Sequence, residues 1–467
     1  MTLDRRTFLA ALVAAAASPA FAQIGRLDQR PPLRPVPDPR AIVARSALPG
    51  HVAYALAGPT EAHLALGKSM MPIAPASTMK AITALYALDR LGPGHRFVTR
   101  LIRTDDMLIL AGGGDPVLST DDLARLAADL AATGQPVPAR FAVWPGALPQ
   151  LPQITPEQAD HLAYNPSISG MILNFNRVHL GWARVGVDHQ LSVEARAALH
   201  SPRAFTVTAM PGNHRDLFTY REDGAQEHWT VSRSAMNRSG SRWLPVRLPA
   251  LYAGDVFQTL CRAKGVALPA PEVIEHLPKG REVGHHRSPP LELLVRDMLL
   301  YSTNVTAEAI GLAASGAADL EASGRAMQNW LGDLGKGMRL ADHSGLSGGS
   351  RTTAYGMTRV LAGPGRDLGL ARLLRHSPLS EDLGRTDAPH HVKGKTGTLN
   401  FVSNLTGYVT TPAGSEGVFT ILCTDPSRRQ AVIGQELPTG VIAWTRSAKI
   451  VQRDLIAAFA NRLEARG

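Results

Sequence analysis

Cysteine is scarce in this 467-residue chain, which has only Cys261 and Cys423, far apart in sequence. Two cysteines exclude a disulfide-stapled scaffold, and no zinc-ligand spacing is present. Both sit inside apolar runs, which predicts buried free thiols rather than a bridge. Aromatic residues make up 5% of the chain. They do not interleave with basic residues as in RNA-binding sheets, and there is no long basic run, so nucleic acid is not an expected partner. Acidic residues are outnumbered: 49 Lys and Arg against 39 Asp and Glu give a net charge of +10. That balance favours approach to a polyanion, whether a membrane surface or an acidic polymer, without choosing between them. Past the N-terminus no run reaches the roughly 20 apolar residues of a membrane span. The pairs His285-His286 and His390-His391 lie in Pro-rich or basic surroundings and predict solvated loop side chains, with no metal.

The chain is 44% hydrophobic and only 19% charged, enough to bury a sizeable core in two or three domains. Residues 1–22 read as an export signal: a charged start, an apolar stretch from Phe8 to Ala17, and a small-residue end at Ala20-Phe21-Ala22. The paired Arg5-Arg6 before the apolar stretch resembles a twin-arginine signal, an ordinary secretory signal being the alternative. Either predicts a mature chain outside the cytoplasm without a transmembrane anchor. A Pro-rich leader, Arg30 to Pro37, follows. His51 to Ala57 and Ala62 to Gly67 alternate about Gly58-Pro59-Thr60-Glu61 as a hairpin does. From Ser77 to Leu91 the residues Met79, Ile82, Leu85, Tyr86 and Leu88 recur at helical spacing, and Gly92-Pro93 stops them. Residues 96–248 have a different texture, short alternating runs broken by Gly, Pro and Asn, which predicts a mostly β insertion. Helical periodicity resumes near Ala253 to Lys264 and at Leu291 to Leu300. Thr398 to Thr410 and Gly417 to Cys423 read as strands, and Val441 to Glu464 as a final helix packed on the sheet.

Three short elements carry chemistry. Ser77-Thr78-Met79-Lys80 opens a helix, and positions i and i+3 share a face, so the Lys80 amine can reach the Ser77 hydroxyl. A crowded, desolvated cationic site would lower the lysine pKa and let the neutral amine take the serine proton. Taken singly, a serine here is an ordinary N-cap. In Tyr301-Ser302-Thr303-Asn304, at a junction between helical patterns, Ser302 and Asn304 can both project into one cleft, or merely cap a helix. In Lys393-Gly394-Lys395-Thr396-Gly397-Thr398, Lys395 can supply a fixed positive charge. Thr396 and Thr398 can hold a carboxylate, and Gly397 lets a substrate backbone lie close. The glycine run Ala111 to Pro116 lacks the Lys-Ser or Lys-Thr of a phosphate loop, which excludes that reading.

Ser-X-X-Lys, Ser-X-Asn and Lys-Thr-Gly in this order resemble the penicillin-binding proteins and serine β-lactamases. The long separation of Ser77 from Ser302 resembles the D-alanyl-D-alanine carboxypeptidase/endopeptidases of low-molecular-mass class C. So do Ala111-Gly112-Gly113-Gly114-Asp115-Pro116, Leu173-Asn174-Phe175-Asn176 and Asp342-His343-Ser344-Gly345-Leu346-Ser347. The resemblance implies an α+β fold, an antiparallel sheet flanked by helices, from residues 24–95 and 249–467, with 96–248 inserted between the first and second motifs. It implies a periplasmic serine hydrolase of peptidoglycan peptides working through an acyl-enzyme, needing no cofactor and acylated by β-lactams. Ser77 would be the nucleophile and Lys80 the base. Ser302 would relay a proton and Asn304 orient the acyl chain, while Lys395, Thr396 and Thr398 bind the terminal carboxylate, with Gly397 at the substrate strand. Backbone N–H groups of Ser77 and Thr398 would stabilise the oxyanion. A serine β-lactamase and a non-catalytic wall-binding scaffold are the alternatives. The group usually has glycine at His343 and a basic residue at Gly348, which puts the backbone bend and the substrate contacts there in question.

Overall fold

The computed structural model describes residues 38–60, 62–186, 188–384 and 388–465; the export signal and the Pro-rich leader lie outside them. One antiparallel sheet has the strand order Arg375–His376, His391–Leu399, Val402–Thr410, Glu416–Thr424, His51–Ala57, His63–Gly67. The two strands Val402–Thr410 and Glu416–Thr424 are buried almost end to end, as their near-continuous apolar and threonine sequence requires of strands covered on both faces. Alternation then divides their side chains. Phe419, Ile421 and Cys423 pack with Trp444, Leu455 and Phe459 of the final helix Val441–Glu464. On the other face Tyr408 and Val418 share a core with the helix Met79–Leu91 and the helix Leu291–Tyr301. The helix Met79–Leu91 is buried on every side as far as Leu88. The carboxyl-terminal elements thus lie in sequence far from the strands and helix they complete.

The expected hairpin and the final helix are present, and the fold is α+β with an antiparallel sheet between helices. The run expected as one strand from Thr398 to Thr410 is two, because the chain reverses at Asn400 and Phe401, where Phe401 has φ 54°.

The inserted region holds a five-stranded sheet in the order Pro271–Val273, Arg140–Trp144, Met107–Ala111, Val98–Arg103, Arg281–Arg287, and two three-stranded sheets. It is less purely β than expected: a helix, Thr120–Ala132, starts at a capping box between Ser119 and Asp122. Its end at residue 248 is also corrected. The helix Pro249–Arg262 buries Tyr252, Val256, Phe257 and Leu260 in one core with Leu110, Phe141 and Val143. The strands at 271–273 and 281–287 pair with 141–143 and 98–103. By packing and pairing the inserted region runs from about Val98 to Arg287. His285 and His286 therefore lie on a strand, not in a loop, and His286 is largely buried, 3.4 Å from Asp115 and 3.7 Å from Asp122. Cys261 and Cys423 are buried, unpaired and in different cores; burial pushes both thiols up to about 12.

Candidate functional site

Ser77 sits in a single 3₁₀ turn, Ala76–Thr78, that leads into the buried helix Met79–Leu91. The residue before it, Ala76, has φ 48°. A non-glycine residue held in the left-handed region costs on the order of 1 to 3 kcal/mol and persists only where neighbours fix it. Those neighbours are visible. Asn404, buried in the strand Val402–Thr410, donates to the carbonyls of Ala74 and Pro75 at 2.8 and 2.9 Å. From the other side Gly345, with φ 78°, lies so close that a Cβ there would be 1.9 Å from the Ala76 carbonyl oxygen.

One helical turn on, Lys80 is fully buried and its amine contacts Ser77 Oγ at 2.8 Å, Asn304 Oδ1 at 2.7 Å and the Ser344 carbonyl at 3.0 Å. Burial pulls its pKa down to about 7, against an opposing pull from the buried carboxyls of Glu308 and Asp342. Glu308 follows Asn304 by one turn on the helix Asn304–Ser315 and accepts from the backbone N–H groups of His343 and Ser344, both at 2.9 Å. Asp342 accepts from the Ser347 N–H at 2.9 Å and the Ser350 hydroxyl at 2.6 Å. Burial pushes both carboxyls up, and the charge of Asp342 adds to the rise at Glu308.

Ser302 has φ 60° between two helices, Leu291–Tyr301 and Asn304–Ser315, so the chain turns there and aims Ser302 and Asn304 at the same cleft. Lys395 donates to Ser302 Oγ at 3.0 Å and to the Thr396 carbonyl at 2.8 Å. Among the described residues neither lysine has a carboxylate within ion-pair distance. Burial, then the charges of Lys80 and Arg375, hold Lys395 well below the ordinary lysine range. The charge of Lys80 thus weakens the hold of Lys395 on its proton.

The cleft, about 600 Å³, is lined by Ser77, Ser302, Asn304 and Thr398 together with Glu157, Gln158, Tyr164 and Arg429. Lys80 and Lys395 stand behind this lining and reach it through Ser77 and Ser302. Thr396 is half-buried and is not part of the lining. Gly397 packs against the turn that carries Ser77. A Cβ on it would lie 2.8 Å from Pro75 O and Thr78 N and 3.0 Å from Ser77 N. It makes room for the nucleophile's own turn.

The two departures resolve in the same way. His343 has no left-handed backbone; the bend belongs to Gly345. The imidazole is fully buried behind the site, bonded to Ser323 Oγ at 2.6 Å, and fills the space left by Gly311, where a Cβ would lie 2.2 Å from its ring. Burial holds it neutral, with a pKa down to about 3. It does not line the cleft, so the altered substrate contact expected there does not arise from His343. Gly348 does face a charged group: a Cβ would meet the Glu157 carboxylate at 2.1 Å.

Sequence reasoning missed Asn404, Glu308 and the Tyr164 carbonyl, which accepts from Asn304 Nδ2 at 2.8 Å. Asn404 had a signal, a lone amide in an apolar strand, and Glu308 had helical spacing from Asn304. Among the described residues no cluster of three or more His, Cys, Asp and Glu is placed to hold a metal. None of their helices is long and apolar enough to cross a membrane.

A model of the D-Ala-D-Ala carboxypeptidase 3 (S13) family matches residues 53–436. The D-alanyl-D-alanine carboxypeptidase of Actinomadura sp. (strain R39) is 28% identical over 394 residues, covering 74% of this chain and 72% of that protein. Penicillin binding protein 4 (dacB) of Haemophilus influenzae superposes with a TM-score of 0.71 at 18% identity, over 90% of this chain and 99% of that one. The same protein complexed with a novel β-lactam gives 0.69 at 16% identity, with the same coverage.

Proposed function

Because the chain belongs to the D-Ala-D-Ala carboxypeptidase 3 (S13) family, we propose that Ser77 is the acylated nucleophile of a serine D-alanyl-D-alanine carboxypeptidase and endopeptidase with Lys80 as its base. The protein is a serine hydrolase of the carboxypeptidase/endopeptidase type, a low-molecular-mass penicillin-binding protein in fold. The observation that carries the site assignment is the contact between Ser77 Oγ and a buried lysine amine at 2.8 Å whose pKa is down to about 7. At neutral pH such an amine is neutral in a substantial fraction of molecules, so the same contact can run from serine O–H to amine lone pair.

Ser77 Oγ then attacks the carbonyl carbon of the penultimate D-alanine while its proton passes to Lys80 Nζ. Backbone N–H groups of Ser77 and Thr398 take the oxyanion. The C–N bond breaks, a proton returns to the leaving amine through Ser302, and water later releases the acyl group from Ser77. Asn304 orients the acyl chain, and Lys395 with Thr396 and Thr398 receives the terminal carboxylate. Of the three only Thr398 lines the cleft, and Lys395 reaches it through Ser302. The fixed, dry position of the two lysines supports catalysis by positioning, which needs reacting atoms within about 3 to 3.5 Å.

Peptidoglycan peptides are the substrates this chemistry fits, and β-lactams, which present a strained amide to the same serine, are its covalent inhibitors. The Haemophilus protein with a bound β-lactam supports the second point. The sequence of residues 1–22 supports export to the periplasm, with a twin-arginine signal as the route. Incubation with purified muropeptides tests the reading: released D-alanine and cleaved cross-links are expected. Ser77→Ala is expected to abolish labelling by a fluorescent penicillin, and undiminished labelling would overturn the nucleophile. Rapid turnover of penicillin without a trapped adduct would instead indicate a β-lactamase.

A further inference from the structure

The inserted region hands the site one group directly, and the chain around that group is unusual. Residues 151–168 form a loop closed by a two-way bridge between Leu151 and Ile168, at 2.9 Å each way. It contains neither strand nor helix, so its backbone groups need partners from side chains. Two side chains supply them. Arg247, just past the strand Gly240–Pro245, donates to the carbonyls of Pro152, Asp160 and Asn165, each at 2.8 Å. Asn165, fully buried, accepts from the N–H groups of Ile154 and Thr155 at 3.0 Å and donates to the Thr155 carbonyl at 2.8 Å. Arg247 is itself anchored: its own N–H and that of Leu248 donate to the buried Glu227 carboxyl at 2.9 Å. Across the cleft, Glu436 takes His161 of the loop at 3.1 Å together with Arg242.

We infer that Arg247 and Asn165 are positioning residues for the reaction, holding the Tyr164 carbonyl where it fixes the orientation of the Asn304 amide beneath Lys80. An asparagine amide has an accepting end and a donating end. Here the accepting end faces Lys80 Nζ and the donating end faces the Tyr164 carbonyl. Turned over, the amide would set N–H against the lysine amine and one carbonyl against another, so the Tyr164 carbonyl selects the orientation that supports Lys80. The inserted region is then a part of the active site rather than an attachment beside it.

The inference rests on the proposed function, and its test separates the two. The second-order rate of acylation by a fluorescent penicillin is measured for the full chain, Arg247→Lys, Asn304→Ala and the double variant. Lysine keeps the charge near Glu227 but cannot bond three carbonyls in the plane of a guanidinium. Arg247→Lys is expected to slow acylation about ten- to a hundredfold. The double variant is expected to be no slower than the slower single one, since both act through one amide. Rates that multiply in the double variant, or an unchanged rate in Arg247→Lys, would overturn the inference while leaving the nucleophile in place. A wild-type chain that takes no label at all would instead overturn the proposed function. Should Arg247→Lys fail to fold, Glu436→Gln loosens the loop from the opposite rim. A smaller slowing, again absent from the double variant with Asn304→Ala, is expected there, and multiplying rates decide against the inference.

Discussion

The region built on the six-stranded sheet supplies the catalytic set with side chains, and the inserted region bonds to that set with main chain. On the first side Lys80 bonds Ser77 and Asn304, and Lys395 bonds Ser302, all between 2.7 and 3.0 Å. On the second the group bonded to Asn304 is a backbone carbonyl, that of Tyr164, on a loop held by an arginine and an asparagine. Side-chain chemistry restricts residue type at fixed spacing and so leaves motifs. A carbonyl is available from every residue and leaves none. Outside the 151–168 loop and the Arg247 that holds it, the two regions also differ in what a substitution should do, chemistry in one and stability in the other.

The largest expected effect belongs to the first region. Lys80→Ala should slow acylation by fluorescent penicillin about a thousandfold, within the range for removing a positioned general base. A rate within tenfold of the wild type would put the base elsewhere and dissolve the distinction between the regions. Next in size is Phe257→Ala, in the helix Pro249–Arg262. Its ring is fully buried against Phe141, with centroids 5.8 Å apart, and truncating such a side chain costs about 3 to 5 kcal/mol. Hydrogen exchange should show protection falling in Met107–Ala111 and Arg140–Trp144 while Val402–Thr410 and Glu416–Thr424 keep theirs. Equal loss in both would mean that the helix serves both cores.

A smaller effect comes from pH. Lys80, with a pKa near 7, is neutral above that value and protonated below it. A protonated amine cannot accept the serine proton, so the acylation rate should rise with pH and level off above about 7. Two units below, at about pH 5, the neutral fraction and the rate should be down about a hundredfold. A rate flat from pH 5 to 8 contradicts Lys80 as the base. His343 adds nothing in this window: it is already neutral, with a pKa near 3.

Much of the first region was legible because local pattern and tertiary role agree there. The helix from Ser77 to Leu91, the hairpin from His51 to Gly67 and the last helix all show in the spacing of their apolar residues. The order of three motifs then picked out five side chains spread between residues 77 and 395. What escaped was context. Phe401 carries no turn signature; its backbone is left-handed and its ring packs on Trp444, with ring centroids 5.8 Å apart. Gly397 is visible as a glycine, but only the structure shows that Pro75, Ser77 and Thr78 take up the space. The periodicity of residues 249–262 announces a helix without saying which of two cores receives it.

The helix Thr120–Ala132 gives the smallest and most local comparison. It carries an ordinary start signal: Asp122 accepts from the Ser119 N–H at 2.8 Å while the Ser119 hydroxyl takes the Asp122 N–H at 3.3 Å. Leu123, Leu126, Ala127 and Leu130 follow at helical spacing and are buried. A reading weighted toward the short alternating runs around it passes over this signature, although each local rule favours helix. Ser119→Ala removes one reciprocal pair and should lower stability by about 1 kcal/mol, seen as a shift in the thermal unfolding midpoint. The acylation rate should not change, because among the described residues the Ser119 hydroxyl bonds only to Asp122 of its own cap. A cap variant that altered acylation would show the inserted region coupled to the cleft throughout its body, not only through residues 151–168.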